Sequence, residues 1–124
     1  MLMFVNALIV FAFVGVLAAF ADADVTPPVI SAVAVSDVAT SSAMVSWTTN
    51  EPADTQVEYG TSTAYGFSSA LNTATTTAHA VSLTGLTAST TYHFMAKSRD
   101  DAGNLATSSD YMFTTAALPP PPDT

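Results

Sequence analysis

Cysteine is absent from the 124 residues, and positive charge nearly so: two cationic side chains, Lys97 and Arg99, stand against ten acidic ones, a net charge of −8. Without cysteine there can be no disulfide staple, thiolate zinc site or cysteine nucleophile. Two cations cannot release the phosphate counterions that drive nucleic-acid binding, nor form a basic patch for anionic lipid. The acidity keeps copies soluble and mutually repulsive. Also missing are a Gly-x-Ser-x-Gly nucleophile elbow, a glycine-rich phosphate loop and a His-Glu-x-x-His pair. What is present is apolar: hydrophobic residues make up 49% and charged ones 10%, which excludes a chain held open by its own charge.

The apolar residues are unevenly spread. Met1 to Phe20 contains Asn6 as its only polar side chain, and Asp22 and Asp24 end the run. Ala19-Phe20-Ala21 has the small-x-small pattern that a signal peptidase reads, so cleavage is expected between Ala21 and Asp22, with Ala21-Asp22-Ala23 as a second acceptable site. No Lys or Arg precedes the apolar core, a departure from the usual export signal. Residues 1–21 are therefore read as a signal peptide or membrane anchor, the cleaved signal being preferred. About 20 apolar residues suffice to span a bilayer as a helix. Residues 22–27 form a linker.

From Pro28 onward, short β-branched and aromatic runs are separated by turn residues, with no helical period. Val29 to Val35 opens after Pro27-Pro28. Ala43, Val45 and Trp47 alternate with Met44, Ser46 and Thr48, which puts Trp47 on an inner face. Asn50-Glu51-Pro52 is expected to break that strand. Thr55 to Tyr59 is a third, with Val57 and Tyr59 inward, and Phe67 to Leu71 a short further one. His79 to Leu83 follows, with Val81 and Leu83 inward. Thr91 to Arg99 sets Tyr92, Phe94 and Ala96 on one face and His93, Met95 and Lys97 on the other. Asp100 to Asn104 is a tight turn, with Gly103 and Asn104 suited to positive φ. Leu105 to Thr115 closes the set, with Tyr111 and Phe113 inward. Such spacing predicts an all-β, seven-stranded antiparallel sandwich of immunoglobulin-like form, preceded by an apolar N-terminal helix.

Trp47 on the second strand, Leu86 in the stretch Leu86-Thr87-Ala88-Ser89-Thr90-Thr91-Tyr92, and the closing Phe113-Thr114-Thr115 resemble the fibronectin type III signature over about residues 28–115. The runs Ser46-Trp47-Thr48-Thr49 and Val57-Glu58-Tyr59-Gly60-Thr61 are similar to bacterial surface-protein modules and to the N-terminal domain of purple acid phosphatases. The resemblance implies a structural core of Trp47, Tyr59, Leu86, Tyr92, Phe94 and Phe113. Tyr92 would be the corner tyrosine whose hydroxyl reaches backbone near Leu86. It does not imply integrin binding, because Arg99-Asp100-Asp101 lacks the central glycine of an Arg-Gly-Asp tip.

No catalytic residue, cofactor site or metal site is assigned. His79 and His93, expected in opposite sheets, fall short of the four ligands of a closed zinc site. His93 reads as an exposed strand residue and His79 as a strand-end residue near the rim. Asp100, Asp101, Asn104 and Asp110 offer oxygens for calcium but lack EF-hand spacing. Asp22, Asp24 and Glu51 are a second acidic group that could meet at one pole. Leu118 to Thr124, with four consecutive prolines, is a polyproline II spacer within a Pro-rich linker, residues 116–124. The expected function is a non-catalytic extracellular or cell-surface module, acting as a spacer or as an adhesion and interaction domain. Its partners would be other domains of a longer protein, or protein or carbohydrate ligands. Nucleic acid is excluded, and membrane contact would run only through residues 1–21 if uncleaved. The alternatives are an accessory N-terminal domain of a secreted hydrolase, metallophosphatase-like or glycosidase, and a membrane-anchored or filament-forming subunit that keeps residues 1–21 as a helix.

Overall fold

The computed structural model describes Asp22 to Asp123; the apolar segment, its expected helix and the cleavage after Ala21 lie outside the described residues. Seven strands succeed one another: β1 Ile30–Ser36, β2 Ala43–Gly60, β3 Phe67–Ser68, β4 Asn72–Leu83, β5 Thr91–Arg99, β6 Leu105–Thr107 and β7 Tyr111–Thr114. All pairings are antiparallel, and no helix occurs among the described residues.

The break expected at Asn50-Glu51-Pro52 does not end the strand. β2 runs unbroken for 18 residues and changes partners instead. Its first half, Ala43 to Thr48, lies between β1 and β4. Its second half, Gln56 to Gly60, pairs with β5, and Glu58 and Tyr59 also pair with β3. Register irregularities between Thr48 and Thr55 mark the corner at which the chain passes from one sheet to the other. Pro52, which has no N–H to donate, costs nothing at a corner where ladder bonds are already interrupted.

The sheets are thus β1-β2-β4 and β3-β2-β5, the latter extended by β6 and β7 on the far side of β5. Between them lie Val45, Val57, Phe94 and Ala96, each wholly buried, with Trp47 and Leu83 at 2% exposure. Alternation explains this set, since β5 and each half of β2 bury every second residue. Ala43, Leu86, Tyr92 and Phe113 complete the cluster, while Tyr59 and Val81 pack against it half-buried.

Four further expectations need correction. β4 begins at Asn72, not His79, because its first residues follow β2 around the corner, with Ala53 opposite Thr76 and Thr55 opposite Asn72. The closing strand is split: residues 95–96 of β5 lie opposite residues 108–110, a one-residue bulge between β6 and β7. Ser108 satisfies the interrupted ladder, its N–H donating to the Ala96 carbonyl and its Oγ accepting from the Ala96 N–H. Tyr111 shares the face of Phe113 and stacks on Phe94, yet is 39% exposed because β7 is an edge strand. In the hairpin after β5, only Gly103 takes positive φ, at 93°; Asn104 does not.

Candidate functional site

Trp47 and His79 stack with ring centroids 5.1 Å apart and planes 11° from parallel. They face each other because Trp47 is the register partner of His79 across β2 and β4. The indole Nε1–H donates to Ser98 Oγ at 2.9 Å, reaching from one sheet to the other. His79, expected near the rim, is 3% exposed, a correction with a clear physical reason. Thr49 and Thr55, on either side of the β2 corner, supply hydroxyls at 2.9 Å from Nε2 and 2.6 Å from Nδ1. Thr49 donates its proton to the Glu51 carbonyl at 2.7 Å, so it accepts from Nε2–H. In the neutral ring, which burial favours, Nδ1 then accepts from the Thr55 hydroxyl. Burial holds its pKa below the usual histidine value, against the opposing pull of Asp54. With both nitrogens engaged inside the core, the ring has none left for a substrate or a metal. His93 lies in the opposite sheet and shares nothing with it.

His93 instead accompanies Asp110, with Nδ1 to Oδ2 at 2.8 Å, while the Tyr65 hydroxyl donates to Asp110 Oδ1 at 3.0 Å. The histidine hydrogen bond holds the Asp110 carboxyl below its ordinary pKa, against a smaller desolvation effect, with help from Tyr65. This trio pins the Tyr65 loop to the bulge before β7. Asp110 therefore does not join Asp100, Asp101 and Asn104, as a calcium reading would need.

A different acidic group forms at the pole where the chain enters. Carboxylate oxygens of Asp24, Glu51 and Asp100 lie within 4.8 Å of one another. They bring together one residue from each of three segments: the linker, the β2 corner and the hairpin after β5. Burial, then the charges of Asp24 and Asp100, raise the Glu51 pKa. Asp100 is held low, chiefly by the Asn104 amide, which donates to Oδ2 at 2.9 Å, and by backbone N–H groups of the turn. Asn104 Nδ2 also donates to the Asp24 carbonyl at 3.2 Å. The amide thus turns its donor face toward the acids, and Asp100 Oδ2 is already engaged by it. Asp22 is exposed in the linker and is not one of the three.

At the opposite pole Tyr92 is 6% exposed, and its hydroxyl accepts the Thr87 N–H at 2.9 Å. Beside it an open groove of about 240 Å³ is lined by Tyr59, Thr61, Phe67, Leu86, Thr87 and Tyr92. Phe67 stacks on Tyr59 at 5.6 Å and remains 59% exposed. Between Glu58 and Lys97 no residue carries a formal charge, so the groove is neutral in a strongly acidic chain. Sequence reasoning placed Tyr59 in the core but did not see the groove, which depends on the loop that returns Phe67 to it.

A two-sheet antiparallel sandwich tied by a buried tryptophan and a corner tyrosine is a fibronectin type III module, and solved structures agree. The sensor domain of the anti-sigma factor RsgI4 from Pseudobacteroides cellulosolvens matches with 20% identity and a TM-score of 0.56, over 77% of this chain and 100% of that one. The fn3 domain of the human collagen alpha-1(XX) chain matches with 20% identity and a TM-score of 0.56, over 84% and 97%. A fibronectin type III domain from the human KIAA0970 protein gives 15% and 0.53, over 82% and 80%. More narrowly, residues 28–115 match the family described as purple acid phosphatase, N-terminal domain, and the chain belongs to that family. No curated protein matches it by sequence.

Proposed function

We propose that this chain is a non-catalytic module acting outside the cytoplasm as a rigid spacer that sets whatever follows it a fixed distance from its amino-terminal pole. The carrying observation is where the chain enters and leaves. Asp24 is held at the hairpin after β5, whereas Thr115 and Ala116 bond to Thr90, Ser89 and Ala39 before the start of β5. The nine residues of β5 separate these poles by about 27 Å. Both histidines and two of the acids are moreover engaged in holding structure: His79 in the core, His93 and Asp110 at a loop, Asp100 in a turn. The apolar residues 1–21 support export.

The family match favours a second reading, an accessory domain of a secreted metallophosphatase-like hydrolase. Intact mass and N-terminal sequencing of the product from its native cells test both. A product starting at Asp22, recovered outside the cytoplasm without a catalytic domain, is expected. A start at Met1 in the cytosol would overturn the exported spacer, and a larger product with phosphatase activity would favour the accessory domain.

A further inference from the structure

The Leu118-Pro119-Pro120-Pro121-Pro122 tail leaves the module at the same pole as the groove: Thr115 Oγ1 donates to the carbonyl of Thr87, a groove residue, at 2.6 Å. The tail is exposed, with Leu118 at 70%. A polyproline II segment carries carbonyl acceptors and almost no N–H donors, and it docks on grooves lined by aromatic rings. The groove offers the rings of Tyr59 and Phe67 and the hydroxyls of Tyr59, Thr61 and Thr87, which hold no hydrogen bond among the described residues. Neither partner brings a charge until Asp123, so the contact joins the stretches on which two −8 chains repel least.

The tail does not occupy its own groove, whose lining runs only from Tyr59 to Tyr92. Ala116 is pinned on both sides, donating to the Ala39 carbonyl and accepting from the Ser89 N–H. Four consecutive prolines then hold an extended line of about 3.1 Å per residue. We propose that the groove takes the Leu118–Pro122 segment of a second copy, so that two modules pair at their carboxy-terminal poles by exchanging tails. Two-fold exchange closes the assembly and leaves both acidic poles pointing outward.

The absence of cysteine makes the test direct. Full chains carrying Thr61→Cys and Pro121→Cys are mixed under mild oxidation and compared with Thr75→Cys, on the exposed edge of β4, mixed with the same Pro121→Cys chain. The proposal expects disulfide dimer at least roughly tenfold above the Thr75→Cys pair, reduced to that level when Phe67→Ser is added to the Thr61→Cys chain. Phe67 is mostly exposed, so its loss leaves the fold intact, which circular dichroism checks. Equal yields at Thr61 and Thr75, or a yield indifferent to Phe67→Ser, would overturn it. So would a Thr61→Cys/Pro121→Cys double variant that closes within one chain at high dilution.

Discussion

Trp47 carries the largest wholly enclosed side chain and uses both of its chemical characters. Its ring stacks on His79, and its N–H crosses the sandwich to Ser98. Trp47→Ala should cost about 3–5 kcal/mol in chemical denaturation, through lost burial and the cavity left behind. Ser98→Ala removes one hydroxyl and leaves the buried indole N–H without its acceptor, so about 1–3 kcal/mol is expected. His79 adds a pH dependence. Its folded-state pKa lies below the unfolded value of 6.5, so its contribution is full above 6.5 and is lost as pH falls toward the folded value. Melting temperatures between about pH 7.5 and pH 5 should fall for the native chain and change less for His79→Gln. Equal slopes would mean that the ring is not held neutral in the core.

Gly60 shows how an element is shaped by a missing side chain. An added Cβ there would lie 1.7 Å from the Tyr65 carbonyl oxygen, a backbone atom that cannot swing aside. The loop after β2 folds over this glycine, with Tyr65 at φ 60° and Gly66 at φ 104°, and returns Phe67 to Tyr59. Gly60→Ala should therefore destabilise by about 1–3 kcal/mol and also disturb the Tyr59 and Phe67 ring resonances in NMR spectra. Gly103→Ala meets open space and only a strained φ, so it should cost less and leave those rings alone. A like contrast, between local and assembled features, separates what is legible in the sequence from what is not. Period-two alternation locates Trp47, Val57, Phe94 and Phe113, because inward positions on a strand repeat locally. It does not locate the burial of His79, which depends on two threonines brought together by a corner in β2. Nor does it show that Asn50-Glu51-Pro52 bends a strand rather than ending it, since a change of partner leaves no local mark. The grouping of Asp24, Glu51 and Asp100 is split between two separate expectations, because only the fold joins segments so far apart in sequence.

Across the whole molecule the charge is lopsided. Asp24, Glu51, Asp54, Asp100 and Asp101 gather, with Arg99 among them, where the chain enters, while the other end of the sandwich has Asp37 in the turn after β1 and Asp110 beside His93. Repulsion at the first pole adds to burial in making Glu51 harder to ionise than an ordinary glutamate. A raised folded-state pKa means that the folded protein takes up its proton first. Stability therefore rises as pH falls from the folded value to the unfolded 4.5, opposite in sign to the effects of Asp100 and Asp110, whose lowered values cost stability on further acidification. Glu51→Gln removes the repulsion without removing the side chain. It should raise the melting temperature at neutral pH, and the gain should shrink as the pH approaches 4.5. Raising ionic strength from about 0.02 to about 0.5 M should stabilise the native chain more than Glu51→Gln, because salt screens partly exposed charges. A melting temperature unchanged by the substitution at neutral pH would mean that Asn104 and solvent already neutralise the pole. A loss would mean that the Glu51 carboxylate holds the entering linker in place, and the acidic pole would then be a fastening rather than a source of strain.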